Sequence, residues 1–420
     1  QLNNPLALYV AAGILIVMGL VPGMPHFIFL TLGSIAAGLG FMLASQSKTA
    51  LQQAALNEAT LANEEKSPSE ELDWDDVDQV DLVGLDIGYG LIPLVNTESG
   101  GQLLPRVKGV RKKLSAELGF LVQPIRIRDN LDLPPDVYHI VMNGVVRGKG
   151  EIKVGREMAI NPGQALGRLE GIPTKEPAFG LDAVWIEPSQ RDYARTLGYT
   201  VVDAATAVAT HLNTLLRNSA SELLSHDETQ KLLDKVAARS PKLVEDLVPG
   251  KLPLATITKV LQNILDESVS VRDMRTIIEV LSSESGNTQD PDDLTATVRP
   301  RLGRMIVQGL IDVNTSLPVI TLNPALEQML HNILQQSSKG QGLVIEPNLA
   351  EGLFNALAEN TQKVENQGHP AVLVVSPGIR PWLAKIIRHR LPDLTVLSYS
   401  EIPDDQAVKV VATVDVENNN

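Results

Sequence analysis

The chain has 420 residues, of which 44% are hydrophobic and 4% aromatic, with no cysteine and a formal net charge of -14. That length is too great for one core and sets an expectation of three or four domains. The missing cysteines exclude disulfides, thiolate metal sites and Cys nucleophiles, and the acidic, aromatic-poor composition lacks both the basic face and the stacking platforms of a nucleic-acid binder.

The chain begins at Gln1 without a Met, and we expect a fragment of a longer protein. Pro5 to Val21 and His26 to Ser45 contain no Asp, Glu, Lys or Arg, and the first charge is Lys48. Each run has about the ~20 residues that a bilayer-spanning helix needs. Pro22, Gly23 and Pro25 mark a tight reversal between them, and GSIAAGLG supplies small residues that let membrane helices approach closely. A signal peptide would carry a basic leader, which is absent, and a buried soluble hairpin is the other alternative. The expectation is a transmembrane helical hairpin over residues 1–47. An acidic linker follows over 48–81, with one Lys against ten acids between Glu58 and Asp81. Such a run is solvated and extended by self-repulsion. Trp74 stands out in it, either packed on its own domain or anchored in a neighbouring copy.

From Leu82 the pattern becomes globular. VDLVGLDIGYGLIPLV has strand character, and Val107, Val110, Leu114 and Leu118 share one helical face. LVQPIRIRD and DVYHIVMNGVV read as strands, and VVRGKGEIKV as a hairpin around Gly148-Lys149-Gly150. Residues 155–203, richer in Gly and Pro, form a small inserted domain. A helix opened by Asp203 or Thr206, with Leu212, Leu215, Leu216 and Leu223 inward, returns the chain to the first domain, 82–154 plus 204–223. Residues 224–303 are helical. Ser225 and Glu228 form a capping box, and Ile257, Val260, Leu261, Ile264 and Leu265 fit one amphipathic template. Met274, Ile277, Ile278 and Leu281 fit a second, and Pro300 should kink or interrupt a third helix. Residues 304–416 are again α/β. Asn323-Pro324 opens a helix, AVLVVSP is a buried strand, RPWLAKIIRHRL a basic amphipathic helix, and LTVLSY and VKVVATV are further strands. Lying between two apolar strands, that basic helix is expected as a packed crossover. The tail 417–420 is expected to be disordered. The fold class is thus a multidomain chain of α+β and α/β parts.

No phosphate-loop motif, dinucleotide fingerprint, paired-histidine zinc motif or nucleophile elbow occurs, so no enzyme and no cofactor or metal are expected. His211, alone on a helix, reads as a packed or solvated histidine. Phe179 lies in the Pro/Gly-flanked loop EPAFG and is equally a core residue or an exposed docking anchor. Glu176 in the same loop could orient a polar partner, and Thr210, one turn into the following helix, could line the same cleft.

NPLALYVAAGILIVMGLVPGMPHFIF, IRIRDNLDLPP, AINPG, PAFGLDAVWIE, VATHLN, PKLVEDLVPG and VRDMRTIIEVL together resemble the flagellar export-gate family of type III secretion proteins. Virulence-type paralogues share the architecture, and PAFGLDAVWIE and VRDMRTIIEVL resemble the flagellar branch. The resemblance implies an inner-membrane protein of about eight spans with a large cytosolic domain. The family assembles as a nine-membered ring beneath the secretion pore, and this chain would hold the last two spans, the linker and the cytosolic domain. The implied partners are export chaperone–substrate complexes, other export-apparatus membrane proteins, the export ATPase complex and further copies of the chain. By motif, the family's chaperone-docking site falls on Glu176, Phe179 and Thr210, with Glu176 replacing the usual Asp. Glu71, Trp74 and Asp76 match linker residues that dock on the adjacent subunit, which favours the anchor reading of Trp74. Gly88 matches a position tied to domain motion, a hinge if it uses glycine's backbone freedom.

Overall fold

The computed structural model describes residues 80–96, 100–163, 165–312, 315–336 and 346–415, with scattered helical positions between residues 13 and 38. The linker residues Glu71, Trp74 and Asp76, the tail from 416 and most of the expected membrane hairpin lie outside the described residues. Among the described residues no helix is long and apolar enough to cross a membrane. In the first unit, residues 1–79, the described apolar side chains Ile14, Val17, Phe27, Ile28, Leu32 and Ile35 are all exposed.

The second unit begins at Val80. Its first sheet is built on β1 (Val83–Ile87), with β2 (Arg126–Asp129) parallel on one side. On the other side lie β3 (Val137–Met142), antiparallel to β1, and then β4 (Val145–Glu151), antiparallel to β3. The strand character of VDLVGLDIGYGLIPLV ends at Gly88. A 3-10 turn, Tyr89–Leu91, and the short helix α1 (Ile92–Val95) follow. The β3–β4 hairpin turns at Asn143 and Gly144, whose φ values of 50° and 77° suit the two-residue turn that matches strand twist. The turn is therefore not at Gly148-Lys149-Gly150, which runs inside β4. Helices α2 (Leu103–Leu118) and, much later in sequence, α4 (Ala204–Asn218) pack on each other over this sheet. Val107, Leu114 and Leu118 are buried and Val110 half-buried, as the spacing predicts.

Between β4 and α4 lies a second sheet, β6-β7-β5-β8, antiparallel throughout: β5 (Glu157–Ile160), β6 (Ile172–Lys175), β7 (Asp182–Ile186) and β8 (Thr200–Asp203). Alternation divides its side chains between two cores. Met158, Ala183 and Trp185 join the main core, while Ala159 and Ile186 meet Ala194 of helix α3 (Arg191–Thr196) and Tyr199 on the other face.

A helical layer follows: α5 (His226–Ala237), α6 (Pro241–Glu245), α7 (Leu254–Asp266), α8 (Met274–Glu284) and α9 (Pro291–Leu310). The apolar templates of α7 and α8 are buried in full, and the Ser225–Glu228 capping box opens α5. Pro300 does not interrupt α9, which is continuous through it. Burial of Val298, Arg299 and Leu302 on either side of the proline holds the helix together despite the lost hydrogen bond.

The third sheet, β11-β10-β9-β12, is all parallel: β9 (Leu317–Leu322), β10 (Val372–Val375), β11 (Thr395–Ser398) and β12 (Val408–Val414). Helices α10 (Pro324–Gln336), α11 (Pro347–Glu365) and α12 (Arg380–Ile387) separate its strands in the chain. Leu317, Val319, Val372 and Val374 join the main core, whereas Ile320, Leu322, Leu373 and Val375 meet the crossover helices. Parallel strands covered on both faces read as continuous apolar runs, as VLVV does. Where α7 and α9 meet α12 and the 3-10 turn Tyr399–Glu401, four charges are drawn together. Arg299, 1% exposed, pairs with Glu401 at 2.8 Å and Glu267 at 3.0 Å, and Arg380 holds Glu267 at 2.5 Å.

Candidate docking site

The six-residue connection of the β6–β7 hairpin, Glu176 to Leu181, carries two of the three predicted docking residues. Its base is closed by the Glu176 N–H donating to the Leu181 carbonyl at 2.8 Å, and by Gly180 N–H to the Glu176 carbonyl at 2.9 Å. Gly180 sits at φ 72°, where a side chain would be strained. The Glu176 side chain folds back into the loop. Its two carboxylate oxygens accept the N–H groups of Ala178 at 2.9 Å and Phe179 at 2.7 Å. The residue is 2% exposed, and among the described residues no Lys or Arg pairs with it. Glu176 thus organises the loop from inside, where the sequence reading had allowed that it could orient a polar partner. Phe179 is held the opposite way, 66% exposed, with Leu181 also exposed beside it. Lys175 bonds Asp182 at 3.0 Å across the foot of the hairpin.

A buried aromatic pair joins the first sheet to α4. The Tyr138 hydroxyl lies 2.7 Å from His211 Nδ1, the rings meeting edge to face with centroids 5.8 Å apart. Both residues are buried. Burial, and secondarily the negative charge of Glu176, pushes the Tyr138 hydroxyl well above its ordinary pKa, so it remains a donor. Burial pushes His211 below the ordinary histidine value, with Glu176 opposing that shift, so the ring is neutral at neutral pH. The pair is packed to the limit by Gly148 and Gly150 of β4. A Cβ on Gly150 would lie 2.6 Å from the Tyr138 oxygen, and one on Gly148 2.9 Å from the His211 ring. His211 is therefore a packed histidine with a specific partner, Tyr138, which sequence reasoning did not single out. The available signal was the period-2 pattern of VYHIVM, which puts Tyr138 on the buried face with Ile140 and Met142.

Thr210 is half-buried on α4, next to His211 in sequence. Among the described residues no hydrogen bond joins it to Glu176 or Phe179. The start of α4 is fixed by Asp203, which accepts Thr206 N–H at 2.8 Å and Arg106 of α2 at 2.6 Å. Gly88 belongs elsewhere. At φ -67° and ψ 155° it uses none of glycine's extra freedom, and its N–H donates to the Val137 carbonyl at 2.8 Å. A Cβ there would overlap the Pro134 carbonyl, so close packing of β1 on the loop before β3 is what requires glycine. Among the described residues no cluster of His, Asp and Glu could hold a metal ion.

A sequence model described as the FHIPEP family matches residues 1–407. The "Flagellar biosynthesis protein FlhA" of Yersinia enterocolitica is 44% identical over 414 residues, covering 99% of this chain and 58% of that protein. The chain therefore spans little more than half the length of this relative. Among solved structures, the Chlamydia pneumoniae CdsV protein superposes with a TM-score of 0.70 at 24% identity, covering 81% of this chain and 100% of that one. The nonameric SctV-C of EPEC gives 0.65 at 22%, covering 80% and 99%. These two likenesses establish a shared fold.

Proposed function

The chain belongs to the FHIPEP family, and from that membership we propose that it is the membrane-anchored export gate of a flagellar type III secretion apparatus. It acts without covalent chemistry. A ring of its cytosolic domains captures export chaperone–substrate complexes, releases the chaperone and orders substrates by switching between domain arrangements, a process of differential binding to two states. The nonameric SctV-C supports a ring of similar copies here. The export ATPase complex and the other membrane proteins of the apparatus complete the set of partners.

Residues 1–47 anchor the chain as a transmembrane hairpin in the inner membrane. Two charge-free runs of spanning length and the outward apolar side chains from Ile14 to Ile35 support this assignment. The acidic linker, through Glu71, Trp74 and Asp76, docks on the adjacent subunit, and Gly88 lies at a position that affects domain motion.

The observation that carries the docking reading is Phe179, an aromatic ring left in water at the tip of a loop whose backbone is locked from within. Aromatic anchors of this type concentrate binding energy at interfaces. Titrating the chain with purified flagellar chaperone–substrate complexes tests it. Burying a phenyl ring is worth about 1.5–3 kcal/mol, so Phe179→Ala should weaken binding about tenfold or more. Trp74→Ala should instead reduce self-association and leave one-to-one binding intact. An unchanged dissociation constant for Phe179→Ala removes the assignment, and binding of virulence-type chaperones alone would move the chain to that branch.

A further inference from the structure

We propose that Glu176 is a positioning residue that holds Phe179 toward a docking partner without itself touching that partner, so that recognition at this loop is apolar. This role rests on the reading of the loop as a docking site. Glu176 sits at the first position of the loop and is 2% exposed, while Phe179, three positions on, is 66% exposed. The two are joined directly: the Phe179 N–H donates to Glu176 Oε2 at 2.7 Å, and the Ala178 N–H donates to Oε1 at 2.9 Å. For the carboxylate to meet a partner, both bonds would have to break and leave two loop donors unpaired.

The backbone donors of the loop are spent as well. The Glu176 N–H donates to the Leu181 carbonyl at 2.8 Å and the Gly180 N–H to the Glu176 carbonyl at 2.9 Å. Pro177 has no N–H. Every N–H from Glu176 to Gly180 is thus bonded inside the loop, and a partner finds none to accept. What faces outward is the Phe179 ring with Leu181, 42% exposed, and a partner that matches this surface presents apolar side chains there. The charges of the hairpin, Lys175 and Asp182, lie at its foot and pair with each other at 3.0 Å.

Two other features fix the loop, and they separate the role of the acid from their own. The Leu181 carbonyl is held by the backbone bond at the base, which needs no side chain. Gly180 turns the chain at φ 72°, in open space where an added Cβ meets nothing within 4 Å. Alanine there strains the backbone without a clash and leaves the carboxylate in place. The Glu176 side chain therefore acts on the Ala178–Phe179 segment alone. Its contribution to binding is the freedom that Phe179 no longer has to lose on association. Ordering one side chain that is not already held weakens association by roughly two- to tenfold.

A double-mutant cycle on the full 420-residue chain, titrated with a purified flagellar chaperone–substrate complex, separates positioning from contact. Glu176→Gln keeps the size of the side chain and replaces one of its two acceptors with a donor. It should weaken binding roughly two- to tenfold in the wild-type background. In a chain carrying Phe179→Ala, the same change should alter the dissociation constant by less than about twofold. Gly180→Ala, which loosens the same loop with the carboxylate present, should repeat both results. The weakening by Glu176→Gln should be equal at about 0.05 M and about 0.5 M salt, because the carboxylate meets no charge on the partner. Hydrogen exchange followed by mass spectrometry should be faster in Glu176→Gln for peptides containing residues 176–181 and unchanged for α4, a pattern that a general loss of stability does not give. Equal weakening in the wild-type and Phe179→Ala backgrounds, or a weakening that vanishes at high salt, overturns the proposal and makes Glu176 a contact residue. If Phe179→Ala itself leaves the dissociation constant unchanged, the docking reading falls, and faster exchange in Glu176→Gln still supports the hold of Glu176 on the loop.

Discussion

A carboxylate taken out of water without a cation beside it must be supported by something, and for Glu176 the support is the loop backbone itself. This inverts what a sequence leads one to expect of an acid in a polar loop. The acid is structural, and the hydrophobic residue three positions later is the one exposed. The glycines of β4 follow the same logic. As sequence, Gly148-Lys149-Gly150 has the composition of a turn. In the fold the glycines are gaps in a strand that Tyr138 and His211 fill. Gly150→Ala should accordingly destabilise the chain by about 1–3 kcal/mol, the usual range for forcing a methyl into a filled core. Denaturant unfolding measures this, and an unchanged midpoint would mean that the Tyr138 ring can shift aside without penalty.

At the scale of elements, helix ends and helix faces were legible. Asp203, Ser225 and Asn323 each cap the helix that their position suggests, because capping depends only on residues within one turn. β9 was not recognised, although LPVITL is rich in β-formers, and it is an inner strand of the third sheet. Buried on both faces, it lacks the alternation of a half-exposed strand, and Pro318 within it counts against a strand, so periodicity alone could not separate it from a loop. Pro300 was read as a kink or an interruption for a related reason. The local cost is real, but α9 is held by contacts that no local rule contains, above all Arg299 to Glu401 and Glu267. Gly303 one turn later lets the 3-10 turn at Glu401 lie directly against the helix. Breaking one side of a buried pair leaves an uncompensated charge, so Glu401→Gln should cost about 3–5 kcal/mol. Combining it with Arg299→Met should recover part of that loss in the same unfolding assay. A purely additive double variant would deny the coupling.

At the scale of the whole chain, stability should depend on pH in two steps. His211 has a lowered value in the folded state, so the unfolded chain binds its proton first. The stability tied to the neutral ring is present above about pH 6.5 and is lost as pH falls through the folded value. Glu228 acts in the same direction at lower pH. Burial raises its carboxyl, but hydrogen bonds from Ser225 and the charge of Lys231 outweigh that and hold it below 4.5. Its contribution is lost as pH falls through that lower value. Thermal midpoints should thus be level from about pH 8 to 7, decline below about 6.5, and fall further below about 4.5. His211→Gln should remove the first decline alone, and a first decline that survives in that variant would assign it to another group.

By itself the sequence determined the composition of the layers, the helix starts, the amphipathic faces and the family, because these depend on neighbours within a few residues or on long stretches matched in order. It also marked Phe179 and Thr210 and picked out the loop between β6 and β7. Only the tertiary structure decided that Glu176 faces inward, that Tyr138 and His211 pair in the core, and that Gly88 and Gly150 sit where no Cβ fits. Those outcomes are set by which remote atoms arrive within van der Waals distance. Tyr138 and His211 are separated by 73 positions, and Arg299 and Glu401 by 102. No periodicity or cap extends that far, so such pairs become visible only when the sheets and helices have closed on one another.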